Sequence, residues 1–343
     1  MRPGREIRPS SLTVDIHSHV AVPSASAIVQ PYLGAETSPL IPFSSKETIT
    51  VNIQQDRDRH TRMTGFDNGL KERLDDLDEM GIDVQIIMPP PAQCFYTVPT
   101  EISVQATRVL NEGIAEYVTR EPKRFVGLGS VPMNDAIEAA TELERATVKL
   151  GLKGALILTN VGGRELSDPK FEAFWAKASE LDALIVIHPN GFTEGQRLSR
   201  FYFNNVIGNP LDTTIALHYL IFDGVLERYP RLKLLAVHGG GYVGAYSGRM
   251  DHAWGARSDC RANLPNPPSA YLKRVHVDSI VFTPHQLIGL VELFGADHVL
   301  MGTDYPFDMA ESDPLDHIAS VTAFSKQTVE AVAGGNAKRL LNL

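Results

Sequence analysis

Two histidines, His17 and His19, follow an apolar segment near the start of the chain, in the run VDIHSH. Side chains alternate between the two faces of an extended strand, so these imidazoles lie on the same face. Imidazole nitrogens on one face are suited to bind a divalent metal ion. Two histidines at this spacing also occur as ordinary half-buried residues, so the pair alone does not decide between a metal site and a structural role.

Three further residues of metal-binding type follow other apolar segments. His188 follows the apolar run in ALIVIHPNG, His238 that in LLAVHGGG, and Asp304 lies in VLMGTDYPF. If these segments are strands of one parallel barrel, their carboxyl ends meet at the same rim, and the side chains meet there too. Three imidazoles with one carboxylate suit Zn²⁺ best, with Mn²⁺, Fe²⁺ or Co²⁺ as alternatives, and a water held there has its pKa lowered to about 7.

The surroundings of His238 favour a catalytic base over a further metal ligand. Three glycines follow it, at positions 239–241, and they let the backbone approach the metal closely as the next helix begins. The interpretation of His238 as another ligand stays open. One metal ion is favoured over two, because the fourth strand ends in Thr159-Asn160 without a lysine or glutamate that could bridge a second ion.

Eight short apolar segments, each followed by an amphipathic stretch, are the elements that would position these side chains. The predicted strands are Leu12–Ile16, Val84–Met88, Phe125–Ser130, Ala155–Leu158, Ala183–Ile187, Lys233–Val237, Val275–Ile280 and Val299–Gly302. The predicted helices are Gly69–Met80, Thr100–Thr119, Asp135–Leu150, Lys170–Leu181, Asp212–Arg228, Val243–Trp254, Pro284–Phe294 and a stretch from Asp313 to Leu341 interrupted at Gly334-Gly335. Strands that alternate with helices pair in parallel, and eight such units predict an α/β fold, a (β/α)8 TIM barrel that forms one domain over residues 1–343.

Residues 21–62 do not follow this alternation. The segment is rich in Pro, Ser, Thr and Gln, and it lies between the first strand and the first clear helix. We interpret it as a small insertion on the carboxyl-terminal rim of the barrel, where a substrate-binding lid belongs. A loosely ordered surface loop is the alternative.

The composition argues against several classes of partner. The 343-residue chain carries a net charge of −9 without a long basic run, so we expect a small-molecule partner, not nucleic acid or a membrane surface. Cys94 and Cys260 lack the spacing of a metal or redox pair, and the N-terminal residues lack an apolar signal segment. We therefore expect reduced thiols in a cytoplasmic protein.

Five motifs of the chain resemble the amidohydrolase superfamily, namely VDIHSH, RFVGLGSVPM, IHPNG, YPRLKLLAVHGGGYVGAYSGRMDHAW and MGTDYPF. The similarity runs from Thr13 to about Leu341. It is closest to the branch of amidohydrolase-related family 2 that contains 2-amino-3-carboxymuconate-6-semialdehyde decarboxylase. The resemblance implies a metal-dependent, non-oxidative decarboxylase of a carboxylated unsaturated or aromatic acid, with no organic cofactor.

The resemblance also assigns roles to the residues at the predicted rim. It implies that one zinc ion per chain, or Mn²⁺ or another divalent ion in its place, is bound by His17, His19, His188 and Asp304. It implies that His238 activates the water bound to that ion.

Arginines are the substrate-binding residues that the resemblance implies. Arg249 would reach the substrate carboxylate in the neighbouring subunit's site, which predicts a homodimer. A second arginine would come from the first insertion, where Arg57, Arg59 and Arg62 are candidates and Arg59 aligns best. Guanidinium groups pair with carboxylates in bidentate geometry, which suits a dicarboxylate substrate. An ordinary surface ion pair is the alternative for each arginine.

One departure from the family pattern concerns the substrate pocket. Close relatives have an aromatic residue directly after HP, where this chain has Asn190-Gly191, so we expect a differently shaped pocket. Decarboxylases of resorcylate-type acids are a related possibility, although many carry a glutamate where this chain has His17. Phe307 is expected either to line the pocket or to pack in the core.

Two other functions remain alternatives. The same metal site could hydrolyse an ester, lactone, amide or C–C bond, and an acid would then appear without CO₂. A catalytically silent barrel is the other alternative, although unused polar groups clustered at a cleft would be costly. The remaining histidines are expected to be structural or exposed, and they are His252, His276, His285, His298 and His317. Asp278 is expected to be a local hydrogen-bond partner, with contact to the site as the alternative.

Overall fold

The structure, a computed structural model, describes residues 9–33 and 43–343. Its centre is a closed barrel of parallel strands, as the alternation of strands and helices predicts. The strands are β1 (Val14–His19), β2 (Val84–Met88), β3 (Phe125–Gly127), β4 (Gly129–Ser130), β5 (Gly154–Leu158), β6 (Asn160–Val161), β7 (Arg164–Glu165), β8 (Leu184–His188), β9 (Lys233–Ala236), β10 (Val275–Asp278) and β11 (Val299–Leu300).

The barrel closes through backbone hydrogen bonds between its first and last strands. β1, β2 and β3 pair in parallel, and β4, β5, β8, β9, β10 and β11 form the rest of the wall in that order, while β6 and β7 form a separate hairpin. β3 and β4 are two parts of one predicted strand, separated at Leu128. Ile16 N donates to Met301 O at 2.9 Å and Asp304 N donates to His17 O at 2.8 Å. These bonds join β1 to β11 and the residues that follow it.

Alternate residues of the strands divide the apolar core into two layers. Leu184 and Val186 of β8 belong to a cluster inside the barrel, whereas Ile185 and Ile187 pack with residues of the surrounding helices. All four are at most 1% exposed. Because both faces of these strands are buried, the strands read as continuous apolar runs in the sequence.

The helices form the outer layer. They are α1 (Pro23–Val29), α2 (Lys46–Asp58), α3 (His60–Thr64), α4 (Gly69–Met80), α5 (Thr100–Arg120), α6 (Ala136–Glu144), α7 (Glu172–Glu180), α8 (Asn209–Phe222), α9 (Val225–Arg228), α10 (Val243–Ala256), α11 (Ser258–Arg261), α12 (Pro268–Leu272), α13 (Pro284–Phe294), α14 (Pro314–Ala319), α15 (Lys326–Glu330) and α16 (Asn336–Leu341). The predicted helix Asp212–Arg228 is divided into α8 and α9 because Gly224 takes a left-handed φ of 74°. Among the described helices, none is both long and apolar enough to cross a bilayer.

The longest helix, α5, shows how the sequence specifies this layer. Its buried residues recur every three or four positions, which places them on one face. They are Ser103, Ala106, Thr107, Leu110, Asn111, Ile114 and Tyr117. Asn111 donates from this face to Ser130 O at 3.0 Å and so ties α5 to β4.

Residues 21–62 are more regular than their composition predicts. Their described parts contain α1, α2 and α3, while residues 34–42 of the predicted insertion lie outside the described residues. Two apolar residues of α1 pack in the outer core. Ser45 caps α2 by accepting from Thr48 N. Capping and burial therefore favour helices in a segment whose composition is typical of loops.

Candidate metal centre

Four side chains of metal-binding type meet at the carboxyl-terminal mouth of the barrel. His17 and His19 lie in β1, His188 ends β8, and Asp304 follows β11. One ligand atom from each lies within 4.8 Å of the others, and all four residues are buried. Nε2 of His17 is 3.1 Å from Nε2 of His19, and Oδ1 of Asp304 lies 3.3 and 3.0 Å from these two nitrogens. The same oxygen is 4.0 Å from Nε2 of His188.

A register shift in β1 aims its two histidines at the barrel mouth. Ile16 packs inside the barrel, so unbroken alternation would send His17 outward. The pairing of β1 with β2 shifts between Asp15 and Ser18, and an irregularity of this kind re-aims the side chains that follow it. His17 and His19 therefore share a face, as predicted, but the strand continues to His19 instead of ending at Ile16.

In two of these histidines Nδ1 lies within hydrogen-bond distance of a backbone carbonyl oxygen, which fixes the tautomer of each ring. Nδ1 of His19 lies 3.1 Å from Pro89 O, and Nδ1 of His188 lies 2.6 Å from Pro189 O. A carbonyl oxygen can only accept, so each Nδ1 carries the proton. Nε2 of His188 is buried and has no hydrogen-bond partner among the described residues. The Nε2 lone pairs are thus available to a metal, an arrangement typical of metal-binding histidines.

Asp278, at the end of β10, supports the third histidine in the same way. Its Oδ2 accepts from Nδ1 of His17 at 2.8 Å, and both side chains are fully buried. That oxygen also accepts from the backbone amide of His238 at 3.0 Å, and Oδ1 accepts from Gly239 N at 2.9 Å. The sequence favours a local hydrogen-bond partner and leaves contact with the site open; Asp278 makes that contact and links β1 to the residues after β9. A carboxylate inside an apolar strand was the signal for it.

Burial and charge together set the protonation of the cluster. Burial lowers the pKa of His188 to about 3 and also lowers the pKa of His19, so both rings are neutral at neutral pH. Burial acts to lower the pKa of His17 too, but the carboxylates of Asp304 and Asp278 outweigh it and raise that pKa. Burial would raise the pKa of Asp304, yet the surrounding imidazoles hold that pKa well below its usual range. A divalent cation would compete with a proton for Nε2 of His17, while Nδ1 keeps the proton that it donates to Asp278.

Two residues at this mouth hold left-handed backbone conformations. The φ angle is 63° at Asp304 and 55° at His238, values that are uncommon outside glycine and that concentrate at functional sites. Gly241 follows with a φ of 66°, and a Cβ there would lie 2.2 Å from Pro210 O. Only glycine fits this position, so the glycine run turns the chain sharply from β9 into α10.

His238 lies beside the four ligand residues but outside their closest group. Its ring centre is 5.1 Å from that of His188 and 5.4 Å from that of His17. Its Nε2 is 3.5 Å from Asp304 Oδ2, whereas the other three histidines approach Oδ1. The His238 side chain is 17% exposed, against 5% for His188. His238 therefore faces the open side of the cluster.

Among the arginines of the first insertion, Arg59 is connected to the cluster through an aromatic ring. Its guanidinium lies 4.7 Å from the ring centre of Phe307, and that ring meets the ring of His19 edge-on at 4.9 Å. Arg59 also pairs with Asp56 and, at 3.5 Å, with Asp308. Phe307 is thus placed beside the ligands, at the mouth of the barrel.

The other predicted arginines have no contact with the cluster within the chain. Arg62 pairs with Asp76 at 2.8 Å and with Glu72 at 3.2 Å. Arg57 is exposed, and so is Arg249 on α10. Neither guanidinium has a hydrogen bond or an ion pair with a residue that the structure describes.

The remaining histidines are not part of the ligand group found among the described residues. His276 and His298 stack on one another with ring centres 4.5 Å apart. His317 is buried in α14.

Comparison with known proteins bears on both the family and the chemistry. A family model described as Amidohydrolase matches residues 14–343. The 2-amino-3-carboxymuconate-6-semialdehyde decarboxylase of Dictyostelium discoideum is 36% identical over 272 residues, which cover 79% of this chain and 76% of that protein.

Two solved structures share the fold. The 5-carboxyvanillate decarboxylase of Sphingomonas paucimobilis superposes with a TM-score of 0.83 at 22% identity, covering 97% of this chain and 100% of that one. A dihydroxybenzoic acid decarboxylase from a Polaromonas species, with bound manganese and the inhibitor 2-nitroresorcinol, has a TM-score of 0.78 at 21% identity over 97% of each chain. Because the family match extends over nearly the whole chain and includes all four candidate ligand residues, this chain belongs to the amidohydrolase family.

Proposed function

We propose that this chain is a metal-dependent decarboxylase that removes CO₂ from a small acid without oxidation. The observation that carries the proposal is the convergence of four buried ligand atoms at the barrel mouth, with His238 beside them. The relative that is 36% identical supports the reaction class, because it is a decarboxylase. Its substrate and those of the two structural neighbours are unsaturated or aromatic acids by name, and we propose the same class here.

The metal is proposed to be one divalent ion per chain, and no organic cofactor is required. Its ligands would be Nε2 of His17, His19 and His188 and Oδ1 of Asp304. This donor set suits zinc, and manganese occupies the Polaromonas neighbour. When bound, such an ion supplies a Lewis acid and lowers the pKa of a coordinated water toward about 7. Elemental analysis of protein purified without added metal distinguishes zinc from manganese.

His238 is the residue proposed to hold and deliver the proton. Decarboxylation breaks the bond between the carboxylate and its carbon, and a proton takes the place of CO₂ on that carbon. The backbone of His238 is held by its amide, which donates to Asp278 at 3.0 Å, and its ring Nε2 lies 3.5 Å from Asp304 Oδ2. Its partly exposed side faces the space where a substrate would lie, so Nε2 can pass a proton to the substrate carbon.

Arg59 is proposed to bind a substrate carboxylate. It is connected to the ligand His19 through the ring of Phe307, and 16% of its side chain is exposed. Arg62 is a weaker candidate, because among the described residues its side chain pairs with Asp76 and Glu72 and does not reach the ring of Phe307. A guanidinium that pairs with one carboxylate orients the substrate so that the other carboxylate lies near the metal. The two helices on either side of Arg59, α2 and α3, would then act as the lid of the site.

Arg249 is proposed to act in the site of a second copy of this chain. Its guanidinium has no partner among the described residues, and Arg249 lies in α10 after the break in helical geometry at Tyr246. Two aromatic side chains are exposed nearby, Tyr246 of the same helix at 72% and Tyr242, directly before the helix, at 39%. Exposed aromatic residues next to an unpaired arginine are typical of an interface, and a homodimer with two-fold symmetry uses such a face on both copies.

A product analysis tests the proposed function. The protein, loaded with Mn²⁺ or Zn²⁺, is incubated with 5-carboxyvanillate, a dihydroxybenzoate and 2-amino-3-carboxymuconate-6-semialdehyde. We expect CO₂ and the decarboxylated product in equal amounts from at least one of them, and no reaction after the metal is removed by a chelator. A new acid without CO₂ would indicate hydrolysis and contradict the proposal.

A further inference from the structure

Arg73, in α4, is a completely buried arginine behind the metal centre, with 0% exposure. Its Nη1 donates to Gln85 Oε1 at 2.7 Å, and its Nη2 donates to His19 O at 2.6 Å and to Arg62 O at 2.9 Å. The guanidinium also lies 4.6 Å from the ring centre of Tyr305. Arg73 therefore holds the backbone of one proposed metal ligand directly.

Gln85 extends this contact to two more ligands. Its Nε2 donates to Asp15 Oδ2 at 2.9 Å. Asp15 Oδ1 accepts from His17 N at 3.1 Å and from Thr303 N at 3.0 Å, and Oδ2 accepts from the Thr303 hydroxyl at 2.6 Å. These amides belong to one ligand and to the residue directly before the carboxylate ligand. A continuous buried chain of hydrogen bonds thus connects the arginine to the backbone at three of the four ligands.

The same guanidinium holds the segment that carries Arg59. Arg62 O accepts from Arg73, and the Arg62 side chain pairs with Asp76 at 2.8 Å. The Tyr305 hydroxyl donates to the same carboxylate at 2.7 Å. Because Arg59 directly precedes α3, the proposed metal ligands and the proposed substrate arginine share one anchor.

A buried arginine with these partners is costly to maintain. Its hydrogen-bond acceptors are all neutral amide or carbonyl oxygens, and its Nε has no hydrogen-bond partner among the residues described. A charge taken out of water without a carboxylate against it disfavours folding. An apolar residue at this position of α4 would avoid that cost. What an apolar residue cannot supply is a planar fork of donors that reaches three acceptors at once.

We propose that Arg73 is a positioning residue of the metal centre. Together with Gln85 and Asp15 it forms a brace, the Arg73 brace, that holds the backbone of the ligands in metal-binding geometry. Ligands that are fixed before the metal arrives lose less conformational freedom on binding it, so the brace should raise metal affinity. The inference rests on the metal site of the proposed function, but not on the reaction or the substrate.

The affinity of metal-free protein for Mn²⁺, titrated and read by electron paramagnetic resonance, tests this proposal without any substrate. Two variants, Arg73→Met and Gln85→Met, each remove one link of the brace. The second leaves the charge of the protein unchanged. Each variant should bind Mn²⁺ about 10- to 100-fold more weakly than the unaltered protein, the range typical of residues that orient metal ligands.

Arg274→Met is the matched control. Nη2 of Arg274 also donates to two carbonyl oxygens, Leu226 O at 2.5 Å and Tyr229 O at 3.3 Å, and its guanidinium lies 5.7 Å from the ring centre of Tyr271. It precedes β10 and so lies at the opposite end of the barrel from the metal centre. This variant should lose thermal stability but keep its affinity for Mn²⁺ within about twofold.

Three results would overturn the proposal. Unchanged Mn²⁺ affinity in Gln85→Met would show that the brace does not position the ligands. Tighter binding in Arg73→Met would show that the arginine acts only as a repelling charge. An equal loss of affinity in Arg274→Met would show that general destabilisation is sufficient. If Arg73→Met does not fold, Arg73→Lys, which keeps the charge but not the planar fork, takes its place and should also weaken binding.

The outcome is separate from that of the proposed function. If the Mn²⁺ affinity depends on the brace but the protein decarboxylates none of the three acids, the result would contradict the proposed reaction alone. A protein that decarboxylates one of them with unchanged Mn²⁺ affinity in Gln85→Met would contradict the brace alone.

Discussion

Oδ2 of Asp278 lies 2.8 Å from Nδ1 of His17, although the two residues are 261 positions apart in the chain. The same oxygen accepts the backbone amide of His238 at 3.0 Å. An ionised carboxylate can only accept, so Nδ1 of His17 carries a proton and Nε2 is presented to the metal. One buried carboxylate therefore orients the ring of a proposed ligand and holds the backbone of the proposed base.

Asp278→Asn should lower the affinity for a divalent metal about 10- to 100-fold. The amide oxygen can still accept from Nδ1 of His17, but the negative charge that makes the ring a better donor to the metal is lost. The control is Asp212→Asn, since Asp212 is also buried but accepts from Thr159 and Asn160, with no hydrogen bond or ion pair to the four proposed ligands. Metal content after dialysis against a graded chelator measures the change, and equal retention in both variants would refute the prediction.

His238→Ala should leave the metal content nearly unchanged while kcat falls by about 10²- to 10⁴-fold, the usual contribution of a general acid or base. The reason is that Nε2 of His238 approaches Oδ2 of Asp304, whereas the proposed ligands approach Oδ1, so His238 lies outside the closest ligand group. His188→Ala, which removes a proposed ligand, is the contrasting variant and should lose the metal. Loss of metal from His238→Ala as well would reassign His238 as a ligand.

The convergence of the four proposed ligands could be predicted from the sequence because the barrel simplifies the geometry. Once eight strands are recognised, every strand end lies on one rim, and polar residues there need no further information to be brought together. His188 and Asp304 are 4.0 Å apart for this reason. The register shift in β1 was not predictable, since it arises from pairing with β2 and leaves no mark in the alternation of apolar residues.

Residues that hold the backbone of the proposed ligands, without contacting the metal themselves, could not be predicted in the same way. Arg73 lies in an amphipathic helix, where an arginine normally indicates the solvent-exposed face. Its complete burial depends on how α4 packs against β1 and on the carbonyl of His19, which no local pattern encodes. The helices within residues 21–62 were missed for a related reason, because the burial of α1 against the outer core outweighs a composition typical of loops.

Arg59→Met should raise KM for a dicarboxylate about tenfold or more with a smaller effect on kcat, because a hydrogen bond to a charged group contributes about 1.5–3 kcal/mol. Arg62→Met is the matched variant, and its KM should change by less than about twofold because the Arg62 side chain pairs with Asp76 and does not contact Phe307, the ring beside His19. Steady-state kinetics with the substrate that releases CO₂ measures both. A larger rise in KM for Arg62→Met would transfer the role to that residue.

The stability of the metal-free protein should fall between pH 6.5 and 4 because of His276. Burial, and then the charge of His298 stacked on it, lower the pKa of His276 from 6.5 to about 4. Leu234 O, as hydrogen-bond acceptor, and Asp297 oppose this shift, while Arg339 adds to it. In this pH window the unfolded chain binds a proton that the folded protein does not, so the free energy of unfolding decreases as the pH falls.

Urea unfolding of the unaltered protein and of His276→Gln at pH 7 and pH 4.5 measures this contribution. The glutamine amide can still donate to the Leu234 carbonyl but does not titrate. The unaltered protein should lose about 2–3 kcal/mol more than the variant between the two pH values. Parallel loss in both proteins would show that His276 does not contribute.

Subunit mixing tests whether Arg249 acts across an interface. His238→Ala and Arg249→Ala each inactivate every site of their own homodimer if Arg249 reaches the neighbouring site. A mixed dimer contains one His238→Ala chain and one Arg249→Ala chain. The site of the His238→Ala chain lacks both residues. The site of the Arg249→Ala chain has its own His238 and receives the intact Arg249 of the other chain. Random exchange makes about half of the dimers mixed, so about a quarter of the original activity should return. Activity that does not recover after verified exchange of subunits would place Arg249 outside the neighbouring site, and its exposure on α10 would then serve only the surface.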